Sequence, residues 1–545
     1  MPNRTSKTAA LLPVFDLNGR DGVPDARLAG FKAHNMMRMA AMDLPVPQGF
    51  VLATNWCSAI QKNDDKVKAH LLAALQAGVR NLERTTGLGF GSARRPLLVS
   101  VRSGAPVSMP GMMETVLNVG LNEVSLVGLL RLTGEHRTVW DSYRRLIQAF
   151  AEIVAGVPAA SFEAALDATL RRTRVDTARQ LDFRALRDLA RTYLELYREH
   201  TGDDFPQDPF EQLVAATQAV FASWMTNKAV EYRRLNNLPD DLGTAVTIQR
   251  MVFGNSGGNS GAGVGFTRDP STGENRPYID WLAQAQGEDI VSGRRRITSE
   301  NNVPNWLMHK ITSVGESLEK AFRDAQEYEF TVENDELFML QTRTAKRTLL
   351  ASLRMAVEMA DSGLITEEEA LGRLSAIDIE SITIRRVKST KPPLAQAIPA
   401  GTGVAQGPAA FSVKAAQAFA ERATPAILVR NEVATDDIAG IAVVSGILTA
   451  TGGRTSHAAV VARQMGKVCL VGCVDLVIDE KAKQAKLGET VILEGDPLCL
   501  DGDAGTVYAD TPTITSERPE ALIKRVNELR AQVATTGDPL KRGSL

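Results

Sequence analysis

The chain has little of what builds disulfide-stapled, zinc-bound or nucleic-acid-binding proteins. It holds four cysteines in 545 residues, Cys57, Cys469, Cys473 and Cys499. That is too sparse for a disulfide framework, and no CxxC pair suggests zinc. Cys469 and Cys473 fall in an apolar run and read as reduced core residues. An excess of one charge is missing too. Lys and Arg number 62 against 64 Asp and Glu, a net charge of −2, which leaves no basic surplus to neutralise a phosphate backbone. No apolar run approaches the roughly 20 residues that span a bilayer, and residues 1–13 carry no apolar signal core. The cytoplasm is the expected location. There is no internal repeat. What remains is ordinary globular composition in a chain too long for one core, so three or four domains are expected.

Residues 11–120 alternate strand-like runs with glycine and proline punctuation, and from about 123 to 238 the pattern turns helical, with apolar residues three to four apart. Strand signals return over 244–345, where residues 333–336 read as a hairpin turn between two strands. Residues 347–375 are helical again. Residues 388–403 hold three prolines and read as a linker. A compact α/β unit runs from there to about 510, with an apolar strand-like segment at 441–450, and a polar helix over 517–533 lies in the tail.

The most informative stretch is residues 451–466, Thr-Gly-Gly-Arg-Thr-Ser-His-Ala-Ala-Val-Val-Ala-Arg-Gln-Met-Gly. His457 sits where the Gly452-Gly453 turn becomes an amphipathic helix. Thr455 and Ser456 are good N-cap residues. The first-turn N–H groups and the positive end of the helix dipole make an anion site there. An imidazole in that position can take a phosphoryl group, and the small Ala458 and Ala459 leave it room. The plain alternative is a histidine that caps or half-buries at a helix start.

A second group gathers around residues 254–265, where six glycines lie between two strands. Such a loop can present successive N–H groups to phosphate oxygens; it is equally readable as a flexible surface loop. On two later strands lie Glu329 and Gln341, with Arg343 two residues further on the face of Gln341. A carboxylate, an amide oxygen and a guanidinium suit Mg²⁺ with a polyphosphate, or else form a cross-strand ion pair. Lys32 and Arg102 add positive charge from separate early segments.

Residues 451–466 resemble the phosphohistidine signature of the phosphoenolpyruvate-utilising enzymes, with Arg454 where pyruvate, phosphate dikinases usually have Met. Residues 97–118, Phe205-Pro-Gln-Asp-Pro209, Glu231-Tyr-Arg-Arg-Leu-Asn-Asn237, Phe266-Thr-Arg-Asp-Pro-Ser-Thr-Gly273, Ala285-Gln-Gly-Glu-Asp289 and Met339-Leu-Gln-Thr-Arg343 are similar to the dikinase N-terminal domain, in the family's order. The resemblance covers about residues 10–510. It implies a multidomain α/β protein: an ATP-grasp-like nucleotide domain in two parts (1–122 and 244–345) around a helical insertion (123–243), a helical segment and linker (346–395), a swivelling α/β phosphohistidine domain (396–512) and a tail (513–545). It implies that Lys32 and Arg102 contact ATP phosphates, that Glu329 and Gln341 hold Mg²⁺, that Arg343 contacts phosphate, and that Glu288 lies in the nucleotide pocket. Glu327, where the family often has Asp, joins that set. Phe31-Lys32-Ala33-His34 replaces a more glycine-rich family segment. Gly452, Gly453, Thr455 and Ser456 form the phosphohistidine loop.

The implied activity is transfer of a pyrophosphoryl group from ATP to His457 with release of AMP; inorganic phosphate then takes the outer phosphoryl group, pyrophosphate is released and phosphohistidine remains. Family members continue into a barrel of about 250 residues that binds pyruvate or phosphoenolpyruvate, and the 35 residues after the histidine domain cannot form one. The expectation is therefore a separate protein that holds the acceptor. The alternatives are a phosphocarrier or sensor without a small-molecule acceptor, and a piece of a longer dikinase.

Overall fold

A computed structural model describes residues 12–536 apart from 21, 63, 108, 110, 111, 292–302, 434–437, 455, 480 and 481. The chain divides into two compact units, residues 1–260 with 332–342, and residues 261–331 with 343–545.

In the first unit five strands form a wholly antiparallel sheet in the order Val14–Asp16, Gly49–Leu52, Ala245–Arg250, Val99–Gly104, Thr115–Val119. Val51 stands opposite Thr247, and Val101 opposite Ile248. The inner strand Gly49–Leu52 is buried on both faces and is a continuous apolar run, whereas Ala245–Arg250, also buried, alternates Val246 and Ile248 with Thr247 and Gln249. Asp64 caps the N-terminus of the helix Asp65–Thr86, and left-handed Gly87 ends it. Gly78 lets this helix lie on the sheet, since a Cβ there would stand 2.4 Å from the Phe50 ring. The helical stretch forms as expected, and its longest members, His136–Ile153 and Phe183–Thr201, pack together with the sheet in one hydrophobic core. The hairpin turn is present as well: Asn334 and Asp335 both adopt φ near +60°, as a two-residue turn requires.

In the second unit Gln326–Glu333, Gly261–Phe266 and Tyr278–Ala283 are neighbours in one sheet, with Gly263 opposite Trp281. The glycine-rich segment is thus only partly a loop. From Gly261 it is a buried strand whose alternate glycines make room for rings: a Cβ would lie 2.3 Å from Trp281 at Gly261, 2.1 Å from Phe330 at Gly263 and 2.4 Å from Tyr328 at Gly265. Trp281 and Phe330 stack at 5.8 Å with 5° between their planes.

The histidine-bearing module is an eight-stranded sheet in the order Ala395–Gln396, Thr506–Tyr508, Pro497–Asp501, Val404–Ala410, Ile427–Arg430, Gly446–Thr449, Val468–Val471, Ile398–Gly401. Two expectations need correction here. Residues 388–403 are not a bare linker, because Ala395–Gln396 and Ile398–Gly401 are strands of this sheet. Strands of two to four residues carry no readable period, and Pro399 is tolerated because its strand is at the edge. Residues 441–450 are not one strand either: Ile438–Val443 is helical, and the strand is Gly446–Thr449. Among the described residues no helix is long and apolar enough to cross a membrane.

Candidate phosphohistidine site

Gly446–Thr449 lies parallel between Ile427–Arg430 and Val468–Val471, so its carboxyl end opens at the edge where α/β sheets place ligands. There the chain is tied down. The Thr449 hydroxyl donates to the Thr451 carbonyl at 2.7 Å, and the Thr451 hydroxyl and amide donate to the Asn431 carbonyl at 2.8 and 3.0 Å. Gly452 takes φ +98°, which favours glycine. The Ser456 amide donates to the Gly453 carbonyl at 3.0 Å, and the Ser456 hydroxyl accepts from the Ala459 amide at 3.4 Å, capping the helix His457–Gln464. His457 is the first helical residue. Gly452, Gly453 and Ser456 therefore share one turn with the backbone of His457; Thr455 lies outside the described residues, as does the His457 side chain.

Two arginines flank the turn. Arg454 is buried, donates to Asp269 at 2.8 Å and lies over the Tyr278 ring. Arg463, also buried, donates to the Arg454 carbonyl at 2.6 Å. Burial pushes the Arg463 guanidinium below its ordinary value, and the negative charge of Glu327 offsets part of that. Burial alone would raise the Asp269 carboxyl, but Arg454 and the Thr272 and Ser271 amides hold it below the usual carboxylate range. Asp269 and Arg463 lie inside the motifs that carry the resemblance and Tyr278 lies outside them, and the sequence assigned none of the three a role. The signal was available in Arg454 itself, an arginine embedded between glycines and small residues with no partner nearby in sequence.

Glu327, Glu329 and Arg343 belong to the same second unit. Glu327 is buried and accepts from Arg343 at 2.5 Å. Burial opposes the charge on Arg343, but Glu327, by charge and hydrogen bond, and then Glu329 hold its pKa above the ordinary value. Glu327 and Glu329, two apart on one strand, share a face. Glu288 sits in the short helix Gly287–Val291, with its side chain outside the described residues. Gln341 is half-buried on the strand Glu336–Thr344 and counts with the first unit. Among the described residues no three His, Cys, Asp or Glu side chains gather as a metal cluster. Mg²⁺ needs only one or two protein oxygens, and the carboxylate of Glu329 and the amide oxygen of Gln341 are of the right chemistry.

Lys32 and Arg102 lie in the first unit, and the fold brings their segments together. Lys32 is the second residue of the helix Phe31–Ala40, whose preceding Gly30 presses on the strand end: a Cβ on Gly30 would lie 2.0 Å from the Gly104 carbonyl oxygen. The Phe31 amide donates to the Ala105 carbonyl at 2.9 Å. A Cβ on Gly104 would stand 3.7 Å from Lys32 Cβ, and Arg102 precedes Gly104 by two residues on the same face of Val99–Gly104. The segments that carry these two cations thus lie together at one strand end.

Two segments of the chain match known families. Residues 64–301 match the family described as "Pyruvate phosphate dikinase, AMP/ATP-binding domain", and residues 423–505 match "PEP-utilising enzyme, mobile domain". Pyruvate, phosphate dikinase of Clostridium symbiosum is 42% identical over 482 residues, which cover 86% of this chain and 55% of that protein. The enzyme of that name from Rickettsia conorii is 39% identical over 497 residues (89% and 56%), and that from Giardia intestinalis 42% over 480 residues (86% and 54%). The chain spans about half the length of the curated relatives it matches, and over that span it carries a segment similar to their nucleotide-binding domain and one similar to the mobile domain of PEP-utilising enzymes.

Proposed function

We propose that the chain is an ATP-dependent phosphotransferase of the pyruvate, phosphate dikinase type, storing a phosphoryl group on His457. The observation that carries the reading is the capped turn Gly452–Ser456 at the open end of a parallel strand, with His457 opening the helix. Its first-turn amides and helix dipole favour the negative charge that a phosphorylated ring would carry.

The unprotonated ring nitrogen of His457 attacks the β-phosphorus of ATP. The bond from that phosphorus to the oxygen bridging the α-phosphorus breaks, and its electron pair leaves on AMP. An oxygen of inorganic phosphate then attacks the outer phosphorus; pyrophosphate departs and phosphohistidine remains. One difficult transfer is split into easier ones. Lys32, Arg102 and Arg343 bind polyphosphate oxygens, with Glu327 orienting Arg343, and Glu288 lines the nucleotide pocket. Glu329 and Gln341 would hold Mg²⁺, which when bound would neutralise polyphosphate charge. The final acceptor is proposed to be pyruvate, from the relatives' printed name, bound at a site other than those described.

The test uses ATP labelled at the β-phosphate with Mg²⁺. Wild type should retain acid-labile label and His457→Ala none; label on the alanine variant would refute the nucleophile. Unlabelled phosphate should release pyrophosphate from the labelled wild type when the ATP also carries a γ-label.

A further inference from the structure

The turn before His457 is held by side chains that no role yet assigned to this site explains. Arg454 donates from Nη1 to Asp269 Oδ2 at 2.8 Å and from Nε to the Pro399 carbonyl, and its guanidinium carbon lies 4.1 Å from the centre of the Tyr278 ring. Arg463 donates to the Arg454 carbonyl at 2.6 Å and to the Ala400 carbonyl at 3.4 Å, with its guanidinium carbon 5.5 Å from the Phe266 ring centre. Pro399 and Ala400 belong to the edge strand of the histidine module. Asp269 lies in the turn between the strands that carry Phe266 and Tyr278, in the glycine-pleated sheet that also bears Glu327 and Glu329. The turn is thus gripped on one side by its own module and on the other by that sheet.

Asp269 is set up for this contact. The Ser271 and Thr272 amides donate to its Oδ1 at 2.8 and 3.0 Å, and Oδ2 accepts from Arg454, with Arg276 3.6 Å away. Asp269 is 1% exposed and Arg454 8%. Apolar residues in place of such a buried pair are often as stable, so the pair is poorly explained by stability alone. What it does supply is register. A planar guanidinium stacked on a ring and bonded to one carboxylate oxygen fixes both distance and orientation. Phosphoryl transfer demands such precision, because a misplacement of about 1 Å can cost a hundred-fold in rate.

We propose that Arg454 is a positioning residue: through Asp269 and Tyr278 it latches the turn that precedes His457 onto the glycine-pleated sheet, and so sets the rate at which His457 takes its phosphoryl group. This rests on the reading of His457 as the nucleophile. Arg454 itself exchanges no proton or phosphate.

The test measures β-labelling of the full chain under saturating ATP and Mg²⁺. Arg454→Gln and Asp269→Asn should each slow labelling on the order of ten-fold or more, with KM for ATP within about two-fold of wild type. The double variant should be no slower than the slower single, since both remove one contact. Arg454→Lys should recover part of the rate, because it restores charge without the planar stack. A labelling rate for Arg454→Gln within two-fold of wild type, or a change confined to KM, would overturn the latch. Should an arginine variant fail to fold, the isosteric Asp269→Asn decides on the same criteria. If wild type takes no label, the reading of His457 falls instead, and hydrogen exchange decides the latch. The Ser271 and Thr272 amides and the helix His457–Gln464 should then exchange at least ten-fold faster in Arg454→Gln, and unchanged protection would overturn it.

Discussion

Buried polar chemistry decides behaviour at the scale of single residues, and the four cysteines show the inert end of that range. All are free and buried. Burial pushes the Cys469 thiol up to about 12, Arg463 offsetting it only in part, and the Cys499 thiol up to about 11. Cys57 is raised by the same cause. The thiolate is the reactive form, so at pH 8 these three thiols are held neutral as well as shielded, and Cys473 is shielded by burial. A native thiol titration with a disulfide reagent at pH 8 should therefore find essentially no fast-reacting group, and four after denaturation. A fast-reacting thiol in the folded chain would show that one of these sites opens. The arginines lie at the other extreme. Arg343 keeps its charge under burial because Glu327 sits against it, whereas Arg463 is pushed down with weaker compensation. Spacing on adjacent strand-like runs put Glu329, Gln341 and Arg343 in one group, and Glu327 joined it only through the family resemblance. Spacing had no means to pair Arg454 with Asp269, because that contact joins positions 185 residues apart.

Glycine spacing is the lesson at the scale of elements. Read along the chain, residues 254–265 look like a glycine-dense loop, phosphate-presenting or simply flexible, that runs into a strand from Gly263. The alternation Gly261, Gly263, Gly265 was the overlooked signal: glycine at every second position is a strand with one face stripped of side chains. That face receives Trp281, Phe330 and Tyr328. Gly263→Val should destabilise by roughly 1–3 kcal/mol, because its Cβ would meet a Phe330 ring already stacked on Trp281. As a control, a Cβ on Gly372 in the helix Glu367–Leu374 meets nothing within 4 Å, and Gly372→Ala should gain up to about 1 kcal/mol from helix propensity and a less mobile unfolded chain. Urea unfolding of the two variants measures both signs; a neutral Gly263→Val would return the segment to a loop. The long helices and the His457 turn were legible because caps, glycines and a 3.6-residue period agree there. The strands at 395–401 were not, since elements of two to four residues are specified by the sheet they join rather than by their own pattern.

The course of the whole chain sets how freely the histidine module could move. A single flexible linker was the sequence expectation. Instead the chain enters the module along Ile384–Lys388 and leaves it along Thr513–Glu517, and these two segments pair antiparallel, Ile384 opposite Glu517 and Lys388 opposite Thr513. A two-stranded ribbon bends and twists but resists the independent wandering of either strand, so any swing of the module is confined to motions both strands share. The tail then returns to its unit as a working part of the core. The helix Glu520–Thr536 buries Ile523 and Val526 against Leu349–Asp361 and Glu367–Leu374. What reads in sequence as a polar helix is therefore an anchor for the outgoing strand. Val526→Ala removes two buried methyl groups and should cost about 2 kcal/mol. Glu528→Ala, on the exposed side, loses one surface ion pair to Arg525 and should change stability by no more than about 0.5 kcal/mol. Urea midpoints of the two variants make the comparison. Equal midpoints would mean that the anchor is idle and that the ribbon alone restrains the module. A large loss at Val526 with little at Glu528 would tie the helix Glu520–Thr536 to the same core that receives the chain before it enters the histidine module.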